Sequence, residues 1–228
     1  MTADAFRDAS ETVSDPATDI ADLARPFVGL LRVSGASVST FGPFLDARTI
    51  SATDERAGRI DELQFDLGEG PCWDALTTRR PVIEPDLASS TAWPVFAEAV
   101  RGQRVGAIFA FPLVLGPLEL GAVDLYSDSP RSLEVEQQRQ ALALSSIVSR
   151  ILLRHVVSGA QPVTGTFSRR LVHQATGMVL AQLETTPEDA YLVIQGRAFA
   201  ENRSMRDVAE DIIERRIRFS TRPEEETP

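Results

Sequence analysis

The chain has no lysine, one cysteine and two histidines among its 228 residues. All 23 of its basic residues are therefore arginine, which we read as a coding bias and not as a functional feature. A single cysteine, Cys72, excludes an intrachain disulfide and a cysteine-rich zinc site, and it makes the cytoplasm the expected compartment. Two histidines, His155 and His173, leave little for imidazole-based metal or acid–base chemistry. No apolar run approaches the roughly 18 residues of a membrane helix, so no membrane span is expected. Residues 1–8 lack a basic stretch followed by an apolar one, so no secretory signal is expected. What remains is ordinary for a globular chain: 43% hydrophobic and 25% charged residues, with a formal net charge of −10. At about 100–200 residues per domain, the length suits two domains or one with an appendage.

The charge is unevenly spread. Residues 1–160 hold 14 arginines against 22 acids, whereas residues 165–222 hold 9 against 8. Only the C-terminal part can supply a basic patch for nucleic acid, and only if its arginines share a face. A solvated mixed surface gives the same count.

Residues 1–18 are polar and acidic and read as a flexible tail. Ile20, Leu23, Phe27, Leu30 and Leu31 recur at helical spacing, with Asp19 as N-cap and Pro26 marking a kink or a later start. Residues 35–41 read as a strand paired with 49–53, and residues 55–65 as a short polar helix. Pro71 suits the first turn of a helix, residues 81–84 a short strand, and Pro94 another helix start. Residues 105–126 read as a hairpin at the centre of a sheet, turning at Gly116-Pro117. Hairpins interspersed with helices imply an α+β domain on an antiparallel sheet. A long helix spans 133–157 without Gly or Pro, serving either as a dimer helix or as a terminal helix on its own sheet. Residues 158–165 are a linker by composition.

Three further helices follow, at 166–183, 186–202 and 204–219. Thr186-Pro187-Glu188-Asp189 is a helix-start signal, and Ser204 with Asp207 approximates a capping box. The expected core holds Leu171, Ala175, Met178, Val179 and Leu183, then Ala190, Ile194 and Phe199, then Met205, Val208, Ala209, Ile212 and Ile213.

Chemical motifs are sparse. Cys72 at a helix start is either a thiol of lowered pKa or a buried apolar residue. Trp73, Trp93 and Phe96 either line a pocket or fill the core. Gly68-Glu69-Gly70 does not match a phosphate-binding loop. No nucleophile–base pair or metal cluster stands out, so no catalytic residue, metal or cofactor is assigned.

The three C-terminal helices resemble the ANTAR domain of transcription antitermination regulators. The resemblance rests on residues 171–179 (LVHQATGMV), 187–191 (PEDAY) and 205–209 (MRDVA), in that order and spacing. Residues 19–157 resemble a GAF sensor domain through residues 68–72 (GEGPC), Asp86-Leu87, Trp93-Pro94 and residues 121–126 (GAVDLY). The implied fold is a GAF-like antiparallel sheet flanked by helices, followed by a small three-helix ANTAR domain at 166–219 and a disordered tail at 220–228.

The resemblance implies a dimeric regulator that binds paired stem-loops in nascent RNA and prevents a terminator from forming. It also implies that the GAF domain senses a small molecule or another cue, or simply dimerises. Candidate RNA-binding residues are Arg169, Arg170, Gln174, Thr176, Gly177, Arg197, Arg203 and Arg206. Arg169 and Arg170 open a helix where the macrodipole disfavours cations, which fits phosphate contact. Arg215, Arg216 and Arg218 close the last helix, where the dipole favours them. Gly177 suits either RNA approach or a helix–helix contact, and His173 reads as a surface or cap residue. Two positions depart from the ANTAR pattern: Thr176 replaces a common Lys, and Gln195 a common Arg. Rival readings are a DNA-binding regulator, a sulfoxide-reducing enzyme (which Cys72 alone equips poorly) and an interaction module without RNA.

Overall fold

The computed structural model describes residues 2–42, 45–158, 170–201 and 203–220. The chain forms two compact units, residues 1–167 and 168–228.

The first unit is built on five antiparallel strands: β1 (Gly35–Gly42), β2 (Leu45–Ala52), β3 (Val82–Glu84), β4 (Ala107–Leu115) and β5 (Leu118–Ser127). Their order is β2-β1-β5-β4-β3, so the β4–β5 hairpin does occupy the middle of the sheet. The register of that hairpin shifts beside Gly121, where Leu120 is skipped between the Leu113–Gly121 and Val114–Glu119 pairs. Gly121 lies at φ +150°, and a Cβ there would collide with the Ser39 carbonyl, so glycine is required where β5 crosses β1.

Alternation along β5 sends its side chains to two different layers. Val123 and Leu125 join Phe109, Phe111 and Leu113 in the larger core, beneath α1 (Thr2–Ser14), α2 (Arg25–Leu31) and α6 (Val135–Val157). Ala122 and Tyr126 point the other way, toward α3 (Glu55–Leu67), α4 (Pro71–Thr78) and α5 (Pro94–Ala99).

Several expectations are corrected here. The segment expected as a flexible tail contains α1, because Ala9 and Val13 bury on the core with Phe6 beside them. The helix expected from Asp19 splits. Asp19 caps a single 3-10 turn at Ile20–Asp22, and α2 starts at Arg25 with Pro26 in its first turn. In the second unit, the last helix stops at Ile213 and not near Phe219. Arg215 turns left-handed at φ 63°, so Arg215, Arg216 and Arg218 lie beyond the helix. The linker at 158–165 falls almost entirely outside the described residues, as do the tail from 221 and the first residues of the helix expected from 166.

The helix α6 has the length and composition of a membrane span. Its stripe of Ala141, Leu144, Val148 and Leu152 is nevertheless spent on the sheet, as in a core helix.

The described part of the second unit holds α7 (Arg170–Leu183), α8 (Pro187–Glu201) and α9 (Met205–Ile213). Val172, Ala175 and Val179 meet Ala190, Ile194 and Ala198, with Met205, Val208, Ala209 and Ile212 closing the core. Thr186 Oγ1 accepts the Asp189 N–H at 3.1 Å, and the Ser204–Asp207 capping box is complete. Phe199, expected in the core, is instead 70% exposed, because it falls opposite the Ala190–Ile194–Ala198 stripe. Leu171, Met178, Leu183 and Ile213 are partly buried against the core.

Candidate nucleic-acid interface and sensor layer

On α7 the core positions Val172, Ala175 and Val179 leave Gln174 and Gly177 on the outward face, both exposed. A Cβ on Gly177 would meet nothing within 4 Å, so its smallness serves no packing contact among the described residues. His173 is exposed beside them. Thr176 is half-buried, and its hydroxyl donates to the Val172 carbonyl at 2.8 Å. Thr176 and His173 line a shallow groove of about 440 Å³ shared with Pro187, Glu188, Tyr191 and Leu192 of α8. Leu192 is 58% exposed and lies seven residues, two helical turns, before Phe199. The outward side of α8 therefore carries two exposed apolar side chains, of which Phe199 was expected in the core. The signal was available: Leu192 and Phe199 are seven apart and out of phase with Ala190, Ile194 and Ala198.

The candidate arginines are less free than their count suggests. Arg197 Nε lies 2.5 Å from Glu201. Arg203 lies 3.1 Å from Glu201 and 2.6 Å from Asp211, and it also donates to the Asp207 carbonyl. Arg216 completes the cluster on Asp211. Hydrogen bonds from Arg203 and then Arg216 hold the Asp211 carboxyl below the usual carboxylate range. Arg206, on α9, is half-buried with no ion pair among the described residues. Arg170 opens α7, and Arg169 lies outside the described residues. Gln174, Gly177, Thr176 and the α8 groove thus form one surface, while Arg197 and Arg203 form a separate charged knot at the α8–α9 junction.

In the first unit, the Gly68–Cys72 segment is a joint between helices. Gly68 ends α3 in the left-handed region. Glu69 accepts the Phe96 N–H at 2.7 Å, fixing α5. Gly70 sits at φ +141°, where a Cβ would lie 2.6 Å from Gln64 Oε1, and that oxygen accepts the Cys72 N–H at 2.8 Å. Trp73 donates to the Gln64 carbonyl and packs with Phe41 and Phe65 at centroid distances of 4.9 and 5.8 Å. Trp93 donates to Asp74 at 3.0 Å, and Phe96 is fully buried. These aromatics fill the core. Cys72 is fully buried, and burial first, then Asp124 and Asp61, push its thiol well above the usual range. It is a packed thiol and not an activated one.

A family model of the GAF domain matches residues 5–153, and a model of the ANTAR domain matches residues 167–213. The chain is a GAF–ANTAR protein. Its first unit is similar to the GAF domain of a phosphoenolpyruvate-protein phosphotransferase from Coxiella burnetii. That match has 12% identity and a TM-score of 0.56, covering 70% of this chain and 97% of that one. The corresponding domain from Acinetobacter gives 8% identity and a TM-score of 0.56, covering 71% and 98%. The GAF domain of the cyanobacteriochrome TePixJ gives 18% identity and a TM-score of 0.51, covering 65% and 95%. At these identities the likeness establishes the fold. No curated protein matches the chain.

GAF domains are signal-sensing and ANTAR domains are RNA-binding antiterminator modules; both are regulatory and non-catalytic. Of the two positions expected to depart from the ANTAR pattern, Thr176 borders the α7–α8 groove, and Gln195 lies half-buried on α8.

Proposed function

We propose that this GAF–ANTAR protein is a cytoplasmic, signal-responsive regulator that promotes antitermination by binding stem-loops in nascent RNA. The observation that carries the reading is the exposed α7–α8 surface of the ANTAR unit, with Gln174 and Gly177 open to solvent. Gln174 supplies a donor and acceptor for base edges, and Gly177 lets a backbone approach closely. Tyr191 and Phe199 offer rings on which unstacked loop bases stack. Arg206, with Arg170 at the start of α7 and its sequence neighbour Arg169, supplies phosphate contacts. The GAF unit takes a small-molecule or other cue, and the protein acts as a homodimer. Val156 and Val157, exposed at the end of α6, suit a helix that continues its packing onto a partner chain.

The test is filter binding of the intact protein to a paired stem-loop RNA and to a palindromic DNA duplex across a salt series. Preference for the RNA, with affinity falling as salt rises, supports the reading. Preference for the duplex assigns the protein to DNA.

A second reading, an interaction module that does not bind RNA, is favoured by one observation. The side of α8 that would face a ligand carries Leu192 and Phe199, while Arg197 and Arg203 are bound to Glu201. Failure to bind either nucleic acid at low salt would select it.

A further inference from the structure

The layer between the GAF sheet and α3 buries two carboxyl groups, Asp61 at 0% and Asp124 at 4% exposure. Their surroundings differ sharply. Asp61 accepts the Ser39 hydroxyl at 2.9 Å and the Thr49 hydroxyl from the next strand. Hydroxyl donors aimed at a carboxylate favour its charged form. Asp124 has no hydrogen-bond partner at either oxygen among the described residues. It stands on β5 between Ser37 of β1 and Ala110 of β4, neither of which carries charge.

The groups acting on Asp124 can be named element by element. From α3 come Asp61 and Gln64. From α4 comes Cys72, itself un-ionised. Along β5 comes Tyr126, whose hydroxyl accepts from Arg56 and donates to Asp54. No arginine pairs with Asp124 among the described residues, and Arg56 is held by Tyr126 and Asp128. Among the described residues the Gln64 amide is the one neighbour that favours the charged form, yet its Nε2 reaches no acceptor there at hydrogen-bond distance. An ionised Asp124 is thus an unpaired buried charge facing a second one, an arrangement that proteins relieve by keeping a proton.

We propose that Asp124 is a proton-binding site of the GAF unit, neutral at neutral pH, and that release of its proton to water loosens α3 from the sheet. Burial first, and Asp61 second, raise the Asp124 carboxyl well above its ordinary value. The sign follows from linkage. The folded chain holds a proton that the unfolded chain has released, so stability falls as pH rises from the ordinary aspartate range through the folded value. In a sensor domain this makes the proton itself a cue. That consequence rests on the regulatory reading above, whereas proton binding does not.

The experiment follows the intact wild-type protein and Asp124→Asn, a neutral variant of the same shape. It records the Asp124 carboxyl carbon resonance and the unfolding midpoint of the first unit between about pH 5 and about pH 8. The expected result is a wild-type midpoint that falls with pH relative to that of Asp124→Asn, which melts several degrees higher at the alkaline end. The Asp124 carbon should report a carboxylic acid at about pH 6, and Asp61→Asn should move its titration downward. Parallel midpoint profiles, or an Asp124 carbon already ionised at about pH 6, would overturn the proposal. The resonance decides even if Asp124→Asn fails to fold. RNA affinity measured over the same interval separates the two readings. A pH response in wild type that is absent in Asp124→Asn supports the sensory role. Flat affinity with a titrating Asp124 overturns that role alone. No RNA binding at any pH with a titrating Asp124 overturns the RNA reading alone.

Discussion

Arg203 Nη2 lies 2.6 Å from Asp211 Oδ2, and the same carboxylate takes Arg216 on its other oxygen. One acid therefore holds two of the arginines nearest the α8–α9 junction. Asp211→Asn should loosen both, though Glu201 still holds Arg203 and Glu214 still holds Arg216, steepening the salt dependence of RNA binding; Arg203→Ala, which removes a cation already neutralised by acids, should leave that dependence nearly unchanged. The pair also titrates. The Asp211 carboxyl is held below its unfolded value, so its contribution is present above the ordinary aspartate range and is lost as pH falls through the folded value. Because the cluster is exposed and screened, the acid limb of the unfolding profile should shift only slightly in Asp211→Asn.

Gly177 offers a separation of stability from function. It lies mid-helix, exposed, with open space around it. Gly177→Ala should stabilise the ANTAR unit by roughly 0.5–1 kcal/mol through helix propensity. If a nucleic-acid backbone approaches there, RNA affinity should fall even as the melting temperature rises. Thermal unfolding and filter binding on the same sample check both.

Phe199 should behave oppositely to a core residue. Being 70% exposed, its replacement by Ala should change stability by no more than about 0.5 kcal/mol. Loss of a stacked base should cost about 1–3 kcal/mol of binding, roughly 5- to 150-fold in affinity. Ile194→Ala, by contrast, should cost about 2–5 kcal/mol and unfold the three-helix core, visible as an earlier transition.

Gly70→Ala tests the joint between α3 and α4. At φ +141° and with Gln64 Oε1 in the way, the variant should lose about 1–3 kcal/mol and weaken the Gln64–Cys72 hydrogen bond. Gly68→Ala, with open space around its Cβ position, should lose less, since only the left-handed backbone resists it. Denaturant titration of the two variants ranks them.

The sequence was most legible where one period dominates. The β4–β5 hairpin, the α6 stripe and the Thr186 and Ser204 helix starts all follow from local patterning that the tertiary structure does not oppose. It was least legible where a polar residue is buried or an apolar one exposed. Residues 55–65 read as a polar helix, yet Ile60, Asp61, Gln64 and Phe65 form its buried stripe. The partners Ser39 and Thr49, distant in sequence, help make that burial tolerable for Asp61. The α1 segment looked like a tail because two buried residues, Ala9 and Val13, give too faint a period beside eight polar neighbours. Of the candidate site, the sequence left the exposure of Gln174 and Gly177 open and the structure shows both exposed, while the ion pairs of Arg197 and Arg203 depended on where Glu201 and Asp211 would meet them.

The central claim, that the ANTAR unit reads structured RNA, is tested most directly in the native cell. The intact protein is crosslinked and recovered, and the retained RNA is sequenced, beside a Gln174→Ala, Phe199→Ala double variant. The account predicts enrichment of leader transcripts carrying paired stem-loops ahead of terminators, reduced at least tenfold in the variant. Equal recovery of RNA by both proteins, or recovery of none above background by either, would contradict it.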